Sequence, residues 1–351
     1  MPLKQTCRGR RAATMENEDV RVTVLEQGGH IAEIFHKQAG VNPLWTPPWQ
    51  SIEPSTFDPI VHRSIYGSGT EAKLLAGIAG HNVCLDIFGG PSREEAAAGL
   101  TVHGEAPVAT YHVTEIDRAL VMRAILPLVH IRFERRIELH ERAISVHERI
   151  ESLCGFDRPI AWTEHVTLGP PFLEKGATEF RASATRSRVF ESEFGVADYL
   201  QRGAVFEWPN APRADGGVVD LRLFTGASHS SAYTAHLMDQ MSPTAFFVAF
   251  SPRSKLAFGY VWIPRDFPWL GIWEENYSRT APPWNGHTLT RGMEFGVSPF
   301  PETRIAMVDR GRMFDTPTYR WLPANGSISA TYWIVWQRTD TVPESLERPR
   351  D

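Results

Sequence analysis

Between His130 and Leu139 the chain alternates strictly, with Ile131, Phe133, Arg135, Ile137 and Leu139 on one side. A second run brings Ile144, Val146, Glu148 and Ile150 together in the same way. A period of two belongs to a β-strand, whose successive side chains point to opposite faces. The polar link His140-Glu141-Arg142-Ala143 joins the two runs into a hairpin. One inward position of each run is charged, and Arg135 and Glu148 are placed to pair across the strands.

Further strands are expected at Val20–Leu25, Tyr111–Glu115, Leu120–Ile125, Val218–Phe224, Thr244–Ser251, Leu256–Trp262 and Ser327–Trp336. Helix is confined to short turns at Arg93–Gly99 and Gly195–Arg202. The 26 prolines and 27 glycines are spread along the chain, where they punctuate strands and mark no linker. Many strands joined by short turns make an all-β protein, a large antiparallel β-sandwich. With no repeat and no shift in composition, residues 15–337 are expected to form a single domain. Residues 1–14 are read as a disordered extension and 338–351 as a polar tail.

Composition narrows the partners. The formal charge of −5 gives no electrostatic footprint for nucleic acid or an anionic membrane, and no segment reads as a signal peptide or a membrane span. Three scattered cysteines, Cys7, Cys84 and Cys154, suit reduced thiols in a cytoplasm. A small polar molecule is the expected ligand. No phosphate loop, nucleophile elbow or metal-binding spacing is present, so neither metal nor cofactor is expected.

Four islands mix histidine, glutamate and tryptophan with glycine-proline turns. The first is Gly28-Gly29-His30, followed by Asn42-Pro43-Leu44-Trp45. The second holds His103-Gly104, and the third runs from Trp162 through His165 to Gly169-Pro170-Pro171-Phe172. The fourth runs from Trp273-Glu274-Glu275-Asn276 to Gly292-Met293-Glu294. In this order the islands resemble the aldose 1-epimerase (galactose mutarotase-like) superfamily over roughly residues 20–336.

That resemblance implies a supersandwich fold and an isomerase of carbohydrate metabolism that interconverts sugar anomers. It implies Glu294 as base, His165 as acid and His103 as a second donor to the ring oxygen. It further implies Asn82, Trp162, Trp273, Glu274 and Asn276 around the sugar. Where the family carries an Asn-Arg pair, this chain reads His81-Asn82-Val83, with no arginine following.

The chemistry accounts for such residues. Anomers interconvert when one group takes the C1 hydroxyl proton while another protonates the ring oxygen, and the ring then recloses on its other face. A carboxylate opposed to a histidine supplies that pair near neutral pH, at about 10²–10⁴-fold acceleration. Tryptophans give the flat apolar surface that a pyranose face requires. The missing arginine favours the alternative, a non-catalytic carbohydrate-binding or sensing protein on the same fold.

Overall fold

The structure, a computed structural model, describes residues 3–349. Two large sheets dominate it, one of twelve strands and one of eight among the described residues. The eight-stranded sheet contains the expected hairpin, Ile131–Leu139 and Ala143–Ser152, with Arg135 directly opposite Glu148. These two hairpin strands alternate buried and more exposed positions, because one face meets the core and the other meets water.

The twelve-stranded sheet differs. In its centre lie His81–Asp86, Arg158–Leu168, Leu289–Gly296 and Trp269–Asn276, side by side in that order and antiparallel. Nearly every residue in these four strands is buried. One face packs on the eight-stranded sheet, through Val83, Trp162, Val166 and Phe295 against Phe133, Ile144, Phe247 and Tyr332. The other face is roofed by loops and short helices that contribute Trp45, Phe88, Trp284 and Met307. A strand covered on both faces buries both sets of alternate residues, so its residue parity decides which layer each side chain joins.

One cluster of buried charges lies between the sheets. Arg135 donates to Glu148 through Nε and to Glu164 Oε2 through Nη2 at 2.9 Å. His81 Nε2 and the Tyr332 hydroxyl meet the same Glu164 oxygen at 2.8 and 3.0 Å. The Trp162 indole bridges Glu164 and Glu148 at 3.0 and 3.1 Å. Burial, against the pull of Arg135, pushes the Glu148 carboxyl up to about 8. Glu148 thus keeps its proton at neutral pH.

Three expectations are corrected. Within residues 1–14, Leu3–Cys7 and Arg10–Glu16 form adjacent strands at the edge of the twelve-stranded sheet instead of a disordered extension. Residues 1 and 2 lie outside the described residues. Arg10 accounts for this order, since its guanidinium is buried and donates to the carbonyls of Gly77 and Gln27. Gly195–Arg202 is not helical. The Asp198 carboxylate instead accepts from the Phe194 and Gly195 amides at 2.8 and 2.9 Å and from the Ser231 hydroxyl at 2.6 Å, which fixes a turn against a strand.

The tail expected over 338–351 is structured in part: Val342 and Leu346 pack on Val248 and Phe250, while residues 350 and 351 lie outside the described residues. The turn expected at Arg93–Gly99 is a helix at Arg93–Ala97, closed by a Ser92–Glu95 capping box. Among the described residues, no helix is long and apolar enough to cross a membrane.

Candidate functional site

The roofed face of the twelve-stranded sheet carries a row of residues in register. Asn82 lies opposite His165, His165 opposite Glu294, and Glu294 opposite Gly271. Cross-strand partners share a face, so adjacent strands alone bring the histidine to the glutamate. His165 Nε2 stands 3.2 Å from Glu294 Oε1, and both side chains are almost fully buried. The second oxygen of Glu294 accepts from the Tyr233 hydroxyl at 3.3 Å. On its far side, His165 Nδ1 meets the Thr167 hydroxyl at 3.1 Å.

His103 arrives from outside the sheet, on a turn that requires its glycine. His103 and Gly104 both have positive φ, 68° and 84°, and a Cβ on Gly104 would lie 2.2 Å from the Leu85 carbonyl oxygen. The turn sets the His103 ring 4.8 Å from that of His165. Its Nδ1 lies 2.6 Å from the Phe88 carbonyl, which can only accept, so the ring proton sits on Nδ1. Burial holds His103 down to about 4. It is therefore neutral at physiological pH and offers Nε2 as an acceptor, which differs from the donor role expected for it.

His103, His165, Tyr233 and Glu294 line a cavity of about 230 Å³. That lies below the usual range for ligand pockets, about 300–1,000 Å³, and suits one small ring. Its walls are aromatic: the Trp273 and Trp284 rings meet edge to face at 5.9 Å, and Trp284 stacks on Trp45 at 6.1 Å. The Trp273 indole N–H is buried and has no partner among the described residues. A buried donor left unpaired is costly, so it marks a place where a ligand or water oxygen binds.

Electrostatics set the protons. Burial raises Glu294 to about 8, opposed by the Tyr233 hydrogen bond and the Arg279 charge. Burial drives His165 well below its ordinary value, helped by His103. At neutral pH the Glu294–His165 pair therefore holds one proton, resting on the Glu294 carboxyl and within reach of His165 Nε2.

Sequence reasoning missed Arg279. It follows the strand Trp269–Asn276, and its guanidinium lies 4.9 Å over Trp284 and 5.4 Å over Trp273. Glu275 anchors it, with 3.4 Å between Glu275 Oε2 and Arg279 Nε, and is itself held by the Ser278 amide and hydroxyl. The guanidinium lines the cavity, held by this ion pair and by the rings of Trp273, Trp284 and Phe194. Val83, where the family's arginine was sought, is buried in the core between the sheets. The cation of this site thus enters from another segment.

Of the residues named from sequence, Glu294, His165, His103 and Trp273 meet at the cavity. Asn82 shares their face, fully buried beside His165 with its amide unpartnered, but does not line the cavity. Trp162, Glu274 and Asn276 are not at the site. Trp162 is an odd number of residues from His165 in one strand and so joins the opposite layer, between the sheets. Glu274 and Asn276 alternate with Trp273 and turn away from the cavity. Glu274 accepts from the Ser230 and Tyr199 hydroxyls, and Asn276 donates to Ala227 O and Ser230. Tyr233 and Glu71 line the cavity without having been anticipated. Strand parity on either side of Trp273 is the signal that selects Glu275 over Glu274. Among the described residues, no group of three or more His, Cys, Asp or Glu is arranged to hold a metal ion.

Two large antiparallel sheets packed face to face, with loops roofing one of them, define a large β-sandwich. Solved structures bear this out at the level of fold. The chain is similar to a protein from Klebsiella pneumoniae provisionally assigned as an aldose 1-epimerase, with TM-score 0.65, 13% identity, and coverage of 95% of this chain and 80% of that one. It is similar to a galactose mutarotase-like protein from Clostridium acetobutylicum, with TM-score 0.60, 12% identity, and coverage of 97% and 99%. It is also similar to a galactose mutarotase-related enzyme from Lactobacillus acidophilus, with TM-score 0.56, 14% identity, and coverage of 95% and 99%. No protein-family model matches the chain, and no curated protein matches it in sequence. The fold is therefore that of the galactose mutarotase-like β-sandwich.

Proposed function

We propose that this protein is an aldose 1-epimerase-like isomerase that interconverts the anomers of a free sugar by acid–base ring opening. The observation that carries the reading is the Glu294–His165 pair, in register at 3.2 Å on the wall of a single-ring cavity with aromatic sides. The pair has one proton to move. When that proton passes across the 3.2 Å contact to His165, the Glu294 carboxylate takes the C1 hydroxyl proton while the imidazolium gives its own to the ring oxygen, and the C1–O5 bond breaks. The proton then rests on Glu294 with His165 neutral, and after rotation about C1–C2 the same transfers in reverse close the ring. The proton count of the pair never changes, so the cycle needs no exchange with solvent. His103 Nε2 accepts from a sugar hydroxyl, the Trp273 indole donates to one, and the Arg279 fork supports another.

A binding protein without turnover keeps the same cavity, and the absence of an arginine after Asn82 favours it; the presence of Arg279 at the cavity wall weakens that objection. The three cysteines form no disulfide, which supports a reducing, cytoplasmic setting. Acceleration of aldose mutarotation, lost in Glu294→Gln, tests the proposal.

A further inference from the structure

Tyr233 lies in the strand Ser230–Met238, opposite Trp273, and its ring leans across the neighbouring Gly271 towards Glu294. A Cβ at position 271 would lie 2.0 Å from the tyrosine hydroxyl oxygen and 2.8 Å from Cζ, so only glycine leaves this path open. The ring is held by Phe194 at 5.1 Å, Phe190 at 6.2 Å and Phe300 at 6.2 Å, and is 2% exposed. A side chain boxed in this way has one direction for its hydroxyl, towards Glu294 Oε2.

We propose that Tyr233 is the positioning residue of Glu294: it holds Oε2, so that Oε1 is the oxygen presented to His165 and to the ligand, and Gly271 is what allows it to do so. The kinetic part of this inference rests on the reading of Glu294 given above; the structural part does not. A carboxyl with both oxygens free rotates about its last bond and samples geometries in which neither faces His165. Tyr233 fixes that rotation and, by donating to the ionised form, opposes the effect of burial on the proton affinity of Glu294. The other titratable or charged groups around Glu294 are His165, His103, Cys84 and Arg279, with Glu71 at the cavity wall. None of them contacts Oε2 among the described residues, so the tyrosine has no substitute.

The test is carboxyl-carbon NMR titration of Glu294 in wild type, Tyr233→Phe and Gly271→Ala, with mutarotation profiles against pH on the same samples. Loss of one hydrogen bond to a carboxylate should raise the Glu294 midpoint by about one pH unit in Tyr233→Phe. Gly271→Ala should do the same with the tyrosine still present, because its methyl displaces the hydroxyl. The alkaline limb of the rate should move up with the midpoint, and the rate at pH 7 should fall about ten- to a hundredfold from lost alignment. A folded Tyr233→Phe with an unmoved Glu294 midpoint would overturn the positioning role. A moved midpoint, in a protein whose wild type accelerates no aldose, would uphold the positioning and overturn the enzymatic reading.

Discussion

His165 and Glu294 face each other across adjacent antiparallel strands, nitrogen to oxygen at 3.2 Å, on the side of the sheet turned away from the main core. Their contact follows from register and is not borrowed from a mobile loop. Replacing either should therefore remove chemistry and spare the fold. Glu294→Gln and His165→Ala are expected to lower mutarotation by about 10²–10⁴-fold, with melting temperatures near wild type. Both melting temperature and rate are read on the same preparation. A large loss of stability in His165→Ala would reassign it as a packing residue.

The one-proton pair makes a definite claim about pH. Glu294 titrates at about 8, so above that pH the pair loses its proton and has none to give the ring oxygen. His165 takes up a second proton only well below 6.5. The rate should be flat across neutral pH and decline above about 8. A rate that keeps rising through pH 9 would mean that ionised Glu294 acts alone.

Stability should follow a different curve. Burial depresses His30 and His236 to about 3 and His103 to about 4, and it lowers His36, His81 and His165 as well. These groups stabilise the fold above the unfolded value of 6.5, and that contribution is lost as pH falls towards their folded values. Glu148 and Glu294, raised to about 8, and Glu105 and Glu274, also raised, act oppositely. Their contribution is complete below 4.5 and is lost as pH rises through their folded values. Six histidines outweigh four glutamates on the acid side, and between 6.5 and about 8 the glutamates act alone. The melting temperature should peak near pH 6.5 and decline to about 8, with a shallower decline in Glu148→Gln. A melting temperature that climbs steadily to pH 9 would contradict these assignments.

Arg135 is 1% exposed and bonded to both Glu148 and Glu164. Arg135→Met leaves two buried carboxyls without their cation and should cost about 3–5 kcal/mol by denaturant unfolding. The network lies on the core face of the strand that carries His165, so the rate per folded molecule should stay near wild type. A neutral effect on stability would contradict the role given to the guanidinium.

The sheet that faces water was legible in sequence down to the Arg135–Glu148 pair, because only a half-exposed strand alternates visibly. The central strands were not, since roofing by Trp45, Phe88 and Trp284 buries both faces and erases the pattern. The same double burial explains the errors at Trp162, Glu274 and Asn276. Each lies in the correct strand with the wrong parity, and the surrounding composition does not say which layer is the cavity. Arg10 misled in another way, as a basic residue whose buried carbonyl partners at Gly77 and Gln27 are far away in sequence. Arg279 and Tyr233 gave no local signal; their roles appear only when the loop after Asn276 folds back and a glycine opens the path to Glu294.

Mutarotation of freshly dissolved α-anomers, followed by polarimetry or proton NMR across a panel of aldoses with Glu294→Gln as control, tests the central claim most directly. The account predicts acceleration of at least one aldose by the wild type and none by the variant, which still binds the sugar. Acceleration retained in Glu294→Gln, or absent for every aldose that binds, would contradict it.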